Sequence, residues 1–177
     1  AERRVQTGLA TTHATIWLAG LGMIGFIRSR ARRHVIASRD EVKRRRVSAQ
    51  VFDQTSEGIV ITDAERRIIS VNRAFTEITG YSAEEAIGRD PSLLQSGRHD
   101  AEFYRQLWQA LGERGHWRGE IWNRRKDGEV YPEWLAISTV RDALGQPEHY
   151  IGIFSDISQQ KRDAERIRFL AYYDALT

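Results

Sequence analysis

The stretch from Trp117 to Val140, WRGEIWNRRKDGEVYPEWLAISTV, decides the fold. Two runs rich in aromatic and β-branched residues flank Lys126-Asp127-Gly128. Asp-Gly between two such runs predicts a hairpin, because glycine accepts the positive φ that a tight turn between right-twisted strands requires. Successive side chains of a strand point to opposite faces, so Trp117, Gly119, Ile121 and Asn123 share one face. Tyr131, Glu133, Leu135 and Ile137 share a face of the next strand. If the apolar members face a core, Asn123 and Glu133 enter it with them. Two polar groups converging in an apolar cup, here beside Ile121 and Leu135, are the pattern of a small-molecule site. A carboxyl buried at Glu133 needs a hydrogen-bonding partner or a raised pKa.

Outward from this hairpin, DALGQPE turns the chain back into a third strand, HYIGIFSD. Upstream, EGIVITDAERRIISVN holds two short β-rich runs, Ile59–Thr62 and Ile68–Val71, joined by a polar turn. The pieces RAFTEITG and SAEEAIG read as short helices closed by Gly80 and Gly88. Ser82 with Glu85 forms a capping box. Ala101 to Glu113 predicts a longer helix with Phe103, Leu107, Ala110 and Leu111 on its apolar side. Two strands, several short helices and three strands predict an α+β fold, an antiparallel sheet with helices on one face.

The ordered set EGIVITDAERRIISVNRAFTEITGYSAEEAIGRDP, WRGEIWNRRKDGEVYPEWLAISTVRD and HYIGIFSDIS resembles a PAS domain over residues 47–158. The matching pieces are Asn72–Phe75, Thr79–Tyr81, Asn123–Gly128 and the closing Asp156-Ile157-Ser158. The resemblance implies a five-stranded antiparallel sheet cupping a pocket, with flanking helices at both ends. It also implies sensing, dimerisation and signal relay. Flavin-binding light sensors of this superfamily use an Asn at the position of Asn123 and another at the position of Glu133. Their reactive Cys is Pro91 here, their phosphate-contacting Arg is Ser92, and their last-strand Gln is Phe154. Redox-sensing relatives that hold FAD carry a W-x-G-x-x-x-N segment, matched by Trp117 and Asn123. The same segment occurs in PAS domains with nothing bound, where Trp117 would be plain core. FAD, another small metabolite and an empty pocket all stay open. Haem is disfavoured, because AEFYRQLWQALGE has no histidine where haem-binding relatives place one.

The segment DISQQKRDAERIRFLAYYDALT, Asp156 to Thr177, resembles the joint between a PAS domain and a GGDEF domain. Asp174, Leu176 and Thr177 match the opening of the latter. The resemblance implies a cyclic-di-GMP synthesis or degradation domain downstream, with no catalytic machinery in these residues; a histidine kinase or a purely structural spacer role are the alternatives. Asp156 would couple sheet to helix. Ile157, Ala164 and Ala171 fall seven apart with Ile167 between, a short seam for a parallel homodimer through the flanking helices.

The charge is uneven. Residues 28–46 carry nine Arg/Lys against Asp40 and Glu41, while the whole chain is only +3, so the folded remainder is acidic. That argues against a nucleic-acid-binding domain, which would carry its positive charge on the fold. Residues 5–27 hold no formal charge apart from a possible proton on His13 and precede an arginine cluster, the pattern of a transmembrane helix with a cytoplasmic exit. Residues 1–27 are expected to end a helix of the inner membrane. Residues 28–46 would then be a basic linker, and 159–177 a coiled-coil-like link onward. No cysteine is present, which excludes disulfides and thiolate metal sites. Five scattered histidines give no ligand spacing, and nothing in this sequence reads as an enzyme.

Overall fold

The computed structural model describes residues 41 and 43–174. The chain divides into two compact units between Ala49 and Gln50, and the second holds the sheet. Residues 43–54 are helical (α1). There follow β1 (Gly58–Asp63), β2 (Ile68–Val71), α2 (Arg73–Thr79), α3 (Ala83–Ala86), a 3-10 turn (Pro91–Leu94) and α4 (Ala101–Arg114). Then come β3 (His116–Arg124), β4 (Val130–Arg141), β5 (Pro147–Asp156) and α5 (Ser158–Asp174). The five strands form one antiparallel sheet in the order β2-β1-β5-β4-β3. This is the expected α+β architecture.

Local chemistry sets the element ends. Asn72 caps α2 through Phe75 N, and Gly80 closes the helix at φ 76°. Ser82 and Glu85 form the predicted capping box of α3. Asp100 caps α4, and Gly115 ends it at φ 75°. The predicted hairpin joins β3 to β4, with Arg125 N donating to Glu129 O at 2.9 Å and Gly128 at φ 96°.

The core lies between the sheet and α2, α3 and the 3-10 turn. Phe75 and Phe154 meet edge to face at 6.0 Å, among Ile68, Leu94, Ile121 and Leu135. A Cβ on Gly58 would come within 2.3 Å of the Phe154 ring, so that position requires glycine. Strand β3 is at the edge of the sheet, and the segment after the 3-10 turn covers it. Gln95 bridges to Asn123, Ser96 Oγ donates to Trp122 O at 2.5 Å, and Trp122 N donates to His99 Nε2 at 2.8 Å. These contacts fix the strand that carries Asn123 and block further strand pairing there.

Among the described residues no helix is long and apolar enough to cross a membrane. The predicted span, residues 5–27, and the linker up to residue 40 lie outside the described residues, as do Leu176 and Thr177.

Candidate ligand pocket

A cavity of about 280 Å³ opens between the concave face of the sheet, α4 and the 3-10 turn. Its walls are mainly apolar and include Val60, Ile121, Leu135 and Ile137. Register places Ile121 opposite Glu133 and Asn123 opposite Tyr131, so β3 and β4 present their polar groups side by side.

Glu133 is only 1% exposed. Its Oε1 accepts from Asn123 Nδ2 at 2.8 Å, and its Oε2 accepts from Tyr131 Oη at 2.7 Å. Burial raises the carboxyl pKa to about 7, and these two hydrogen bonds hold back only part of the rise. Burial, reinforced by Glu133, also pushes the Tyr131 phenol far up, so Tyr131 stays a donor. The requirement read from the sequence is met both ways: Glu133 has partners and a raised pKa.

The network continues away from the cavity. The Arg125 guanidinium lies 3.9 Å from the Tyr131 ring centroid. Arg125 donates to Asp156 Oδ2 at 2.5 Å and also to Ile78 O. Asp156 Oδ1 accepts from Ser158 N, the first residue of α5, at 2.7 Å. Burial alone would raise the Asp156 pKa, but hydrogen bonds from Ser158 and Arg125 outweigh it and hold the carboxyl below its ordinary value. Contiguous polar contacts thus run from Asn123 to the start of α5.

The mouth of the cavity is aromatic and charged. Tyr104 and Trp108, one turn apart on α4, line it, and Trp108 meets Tyr150 edge to face at 5.5 Å. The Tyr104 hydroxyl is buried without a hydrogen-bond partner. Arg66 and Asp90 complete the rim.

Of the residues read from the sequence, Asn123, Glu133, Ile121 and Leu135 line the cavity. Trp117 does not. Its ring lies over Gly119 and meets Phe103 edge to face at 5.9 Å, so it is packing at the end of the sheet. The tryptophan at the cavity is Trp108. The sequence reading missed it because Tyr104 and Trp108 sit beside the apolar stripe of α4 rather than in it. The signal was an aromatic pair at i, i+4. His99 stacks on Phe103 at 4.0 Å, and its Nε2 is occupied by Trp122 N. Asp156 ends β5 beside the first residue of α5, and Ile157 N donates to Pro132 O at 3.1 Å. Ala164 and Ile167 are exposed on α5, whereas the side chain of Ala171 lies outside the described residues.

Residues 48–157 match the sequence profile described as the PAS fold. The chain belongs to the PAS family. As a PAS domain it is a sensory rather than a catalytic unit. The chain is 38% identical over 118 residues to a nitrogen fixation regulatory protein of Klebsiella oxytoca, covering 67% of this chain and 24% of that protein. It is 33% identical over 119 residues to a blue-light photoreceptor of Listeria monocytogenes, covering 64% and 46%. The crystal structure of a PAS domain from Colwellia psychrerythraea superposes with a TM-score of 0.61 at 28% identity, covering 67% of this chain and 98% of that domain. The chain therefore spans about a quarter of the nitrogen fixation regulator and under half of the photoreceptor.

Proposed function

We propose that this PAS domain is a redox sensor whose pocket holds a flavin ring. The observation that carries the reading is the buried Asn123–Glu133 pair in an apolar cavity that Tyr104, whose buried hydroxyl has no protein partner, also lines. A buried polar atom without a partner is costly, and a ligand edge carrying donors and acceptors would satisfy it. The residues fit such a ring: an amide and a carboxyl for its polar edge, Ile121 and Leu135 for its faces. Bound there, a flavin supplies reversible electron transfer coupled to proton uptake.

The protein side of the response rests on Glu133. As a carboxylate it accepts from both Asn123 and Tyr131. Once protonated, one of its oxygens becomes a donor and one of those bonds must reorganise. With a pKa near 7, a small change in the charge next to it moves that proton. Tyr131 packs under Arg125, and Arg125 holds Asp156 at the base of α5. Two arrangements of the network therefore favour two settings of the helix. No cysteine is present, so light-driven thiol chemistry is excluded.

The 177-residue chain, purified without refolding, is expected to be yellow and to bleach with dithionite. Asn123→Ala should lose the colour and keep the fold. A colourless protein that takes up no added FAD removes the reading.

The output in this reading is a cyclic-di-GMP domain, supported by the resemblance of Asp174, Leu176 and Thr177 to the start of a GGDEF domain. Two copies pair through the flanking helices, where Ile167 is 66% exposed. Ile167→Asp in the intact protein should uncouple output from signal; unchanged regulation removes the seam. Residues 5–27 anchor the chain in the inner membrane, and release by alkaline carbonate would contradict that.

A further inference from the structure

Arg66 stands apart at the pocket mouth. It is the one non-glycine residue with positive φ among the described residues, at 66°. It follows a tight turn in which Arg66 N donates to Asp63 O at 3.2 Å and Asp63 N to Arg67 O at 2.9 Å. The position after such a turn favours Gly or Asn, because a larger side chain crowds the backbone in the left-handed region. An arginine held there at a cost is a reason to look for a role. Its guanidinium carbon lies 5.1 Å from the Trp108 ring centroid. Its nearest carboxylate is Asp90, at 3.7 Å, with both side chains about half exposed. That ion pair is loose and wet, worth little on its own.

The cavity is small. At about 280 Å³ it falls just under the usual range for ligand pockets. A flavin ring held inside would send its ribityl-phosphate tail out through the mouth. Arg66, Trp108 and Asp90 are what it meets there.

We infer that Arg66 is the anchor for a phosphate group on the tail of the bound ligand, so that the site takes a phosphorylated flavin in preference to riboflavin. This rests on the flavin reading above. Sequence comparison pointed elsewhere, since Ser92 stands where light sensors carry their phosphate-contacting Arg. Arg66 reaches the same mouth from the β1–β2 turn. A doubly charged phosphate outcompetes the single distant Asp90 carboxylate, because a guanidinium matches phosphate oxygens bidentately. Asp90 Oδ1 keeps its own bond from Ser92 N at 2.8 Å, so the 3-10 turn stays capped when Arg66 leaves.

The test is a titration of the flavin-free 177-residue chain with riboflavin and with FMN, in mild detergent. FMN should bind about ten- to a hundredfold more tightly, the value of one charge-assisted contact. Arg66→Gln should reduce that ratio to within about threefold, and a circular dichroism spectrum matching that of the unaltered chain shows that the variant is folded. Asp90→Asn keeps the turn cap and should raise the ratio. Equal affinity of the unaltered chain for both flavins overturns the inference and leaves the flavin reading standing. So does a ratio that survives Arg66→Gln. Failure to bind either flavin overturns both.

Discussion

Two buried asparagines, Asn72 and Asn123, show two uses of the same side chain. Asn72 is 2% exposed and uses every hydrogen-bonding position it has. Its Oδ1 accepts from Ile59 N at 2.8 Å and Phe75 N at 2.9 Å. Its Nδ2 donates to Phe52 O at 3.0 Å and Glu57 O at 2.9 Å. Four backbone groups from the end of α1, the entry to β1, β1 itself and α2 are thereby held at one point. Asn123 is 6% exposed and makes one side-chain hydrogen bond, to a carboxylate that is itself near its titration point. A fully satisfied network fixes one arrangement, whereas a partly satisfied one leaves room for a ligand or a proton to choose between two.

The comparison breaks most sharply under the same substitution at both sites. Asn72→Ala leaves several buried backbone groups without partners and removes the cap of α2, and should cost about 3–5 kcal/mol. Asn123→Ala strands one carboxylate oxygen in a cavity that a water can enter, and should cost about 1–2 kcal/mol. Urea unfolding of the two variants measures both. Equal losses would mean that Asn123 is as structural as Asn72 and that the pocket reading lacks its basis.

This difference was only half legible in the sequence. Alternation along β3 and β4 put Asn123 and Glu133 on one inward face, because the period of a strand is fixed. The Asp127-Gly128 turn and the Ser82–Glu85 box were legible because they depend on residues a few positions apart. The four partners of Asn72 were not, since they come from segments up to 20 residues away. Nor was the difference between Trp117 and Trp108. Which of two tryptophans faces a cavity depends on how α4 lies across the sheet, and no short-range pattern encodes that. Arg66 was hidden for another reason: its positive φ is imposed by the hairpin, against the preference of the residue.

The second test uses pH. Burial sets the Glu133 pKa in the folded protein to about 7, above its ordinary 4.5. Between those values the folded state binds the extra proton, so stability falls as pH rises from about 4.5 to 7 and levels off above. The loss is of order 3 kcal/mol at most for a group this buried. Glu133→Gln keeps the shape and cannot ionise. Its unfolding free energy should stay nearly flat over that window, so that at pH 8 it matches or exceeds the unaltered chain. Asn72 has no titrating partner, and Asn72 variants should retain the slope. A slope that survives Glu133→Gln would place the titrating group elsewhere.

The smallest effect concerns Arg66, at the pocket mouth, where a left-handed backbone carries a cost. Arg66→Ala and Arg66→Gly both remove the contact with Trp108 and the loose pair with Asp90. They differ in the left-handed backbone, which alanine resists and glycine accepts. Glycine also loses more entropy on folding, by about 0.5–1 kcal/mol. At an ordinary position that makes the glycine variant the weaker of the two. At φ 66° the left-handed penalty for alanine, about 1–2 kcal/mol, should reverse the order. The glycine variant is expected to be the more stable by about 0.5–1 kcal/mol, read from paired urea midpoints with equal slopes. The same pair at Ala64, in the same turn without positive φ, should give the opposite sign. If glycine also loses at position 66, the turn relaxes without cost, and the strain that singles out Arg66 is absent.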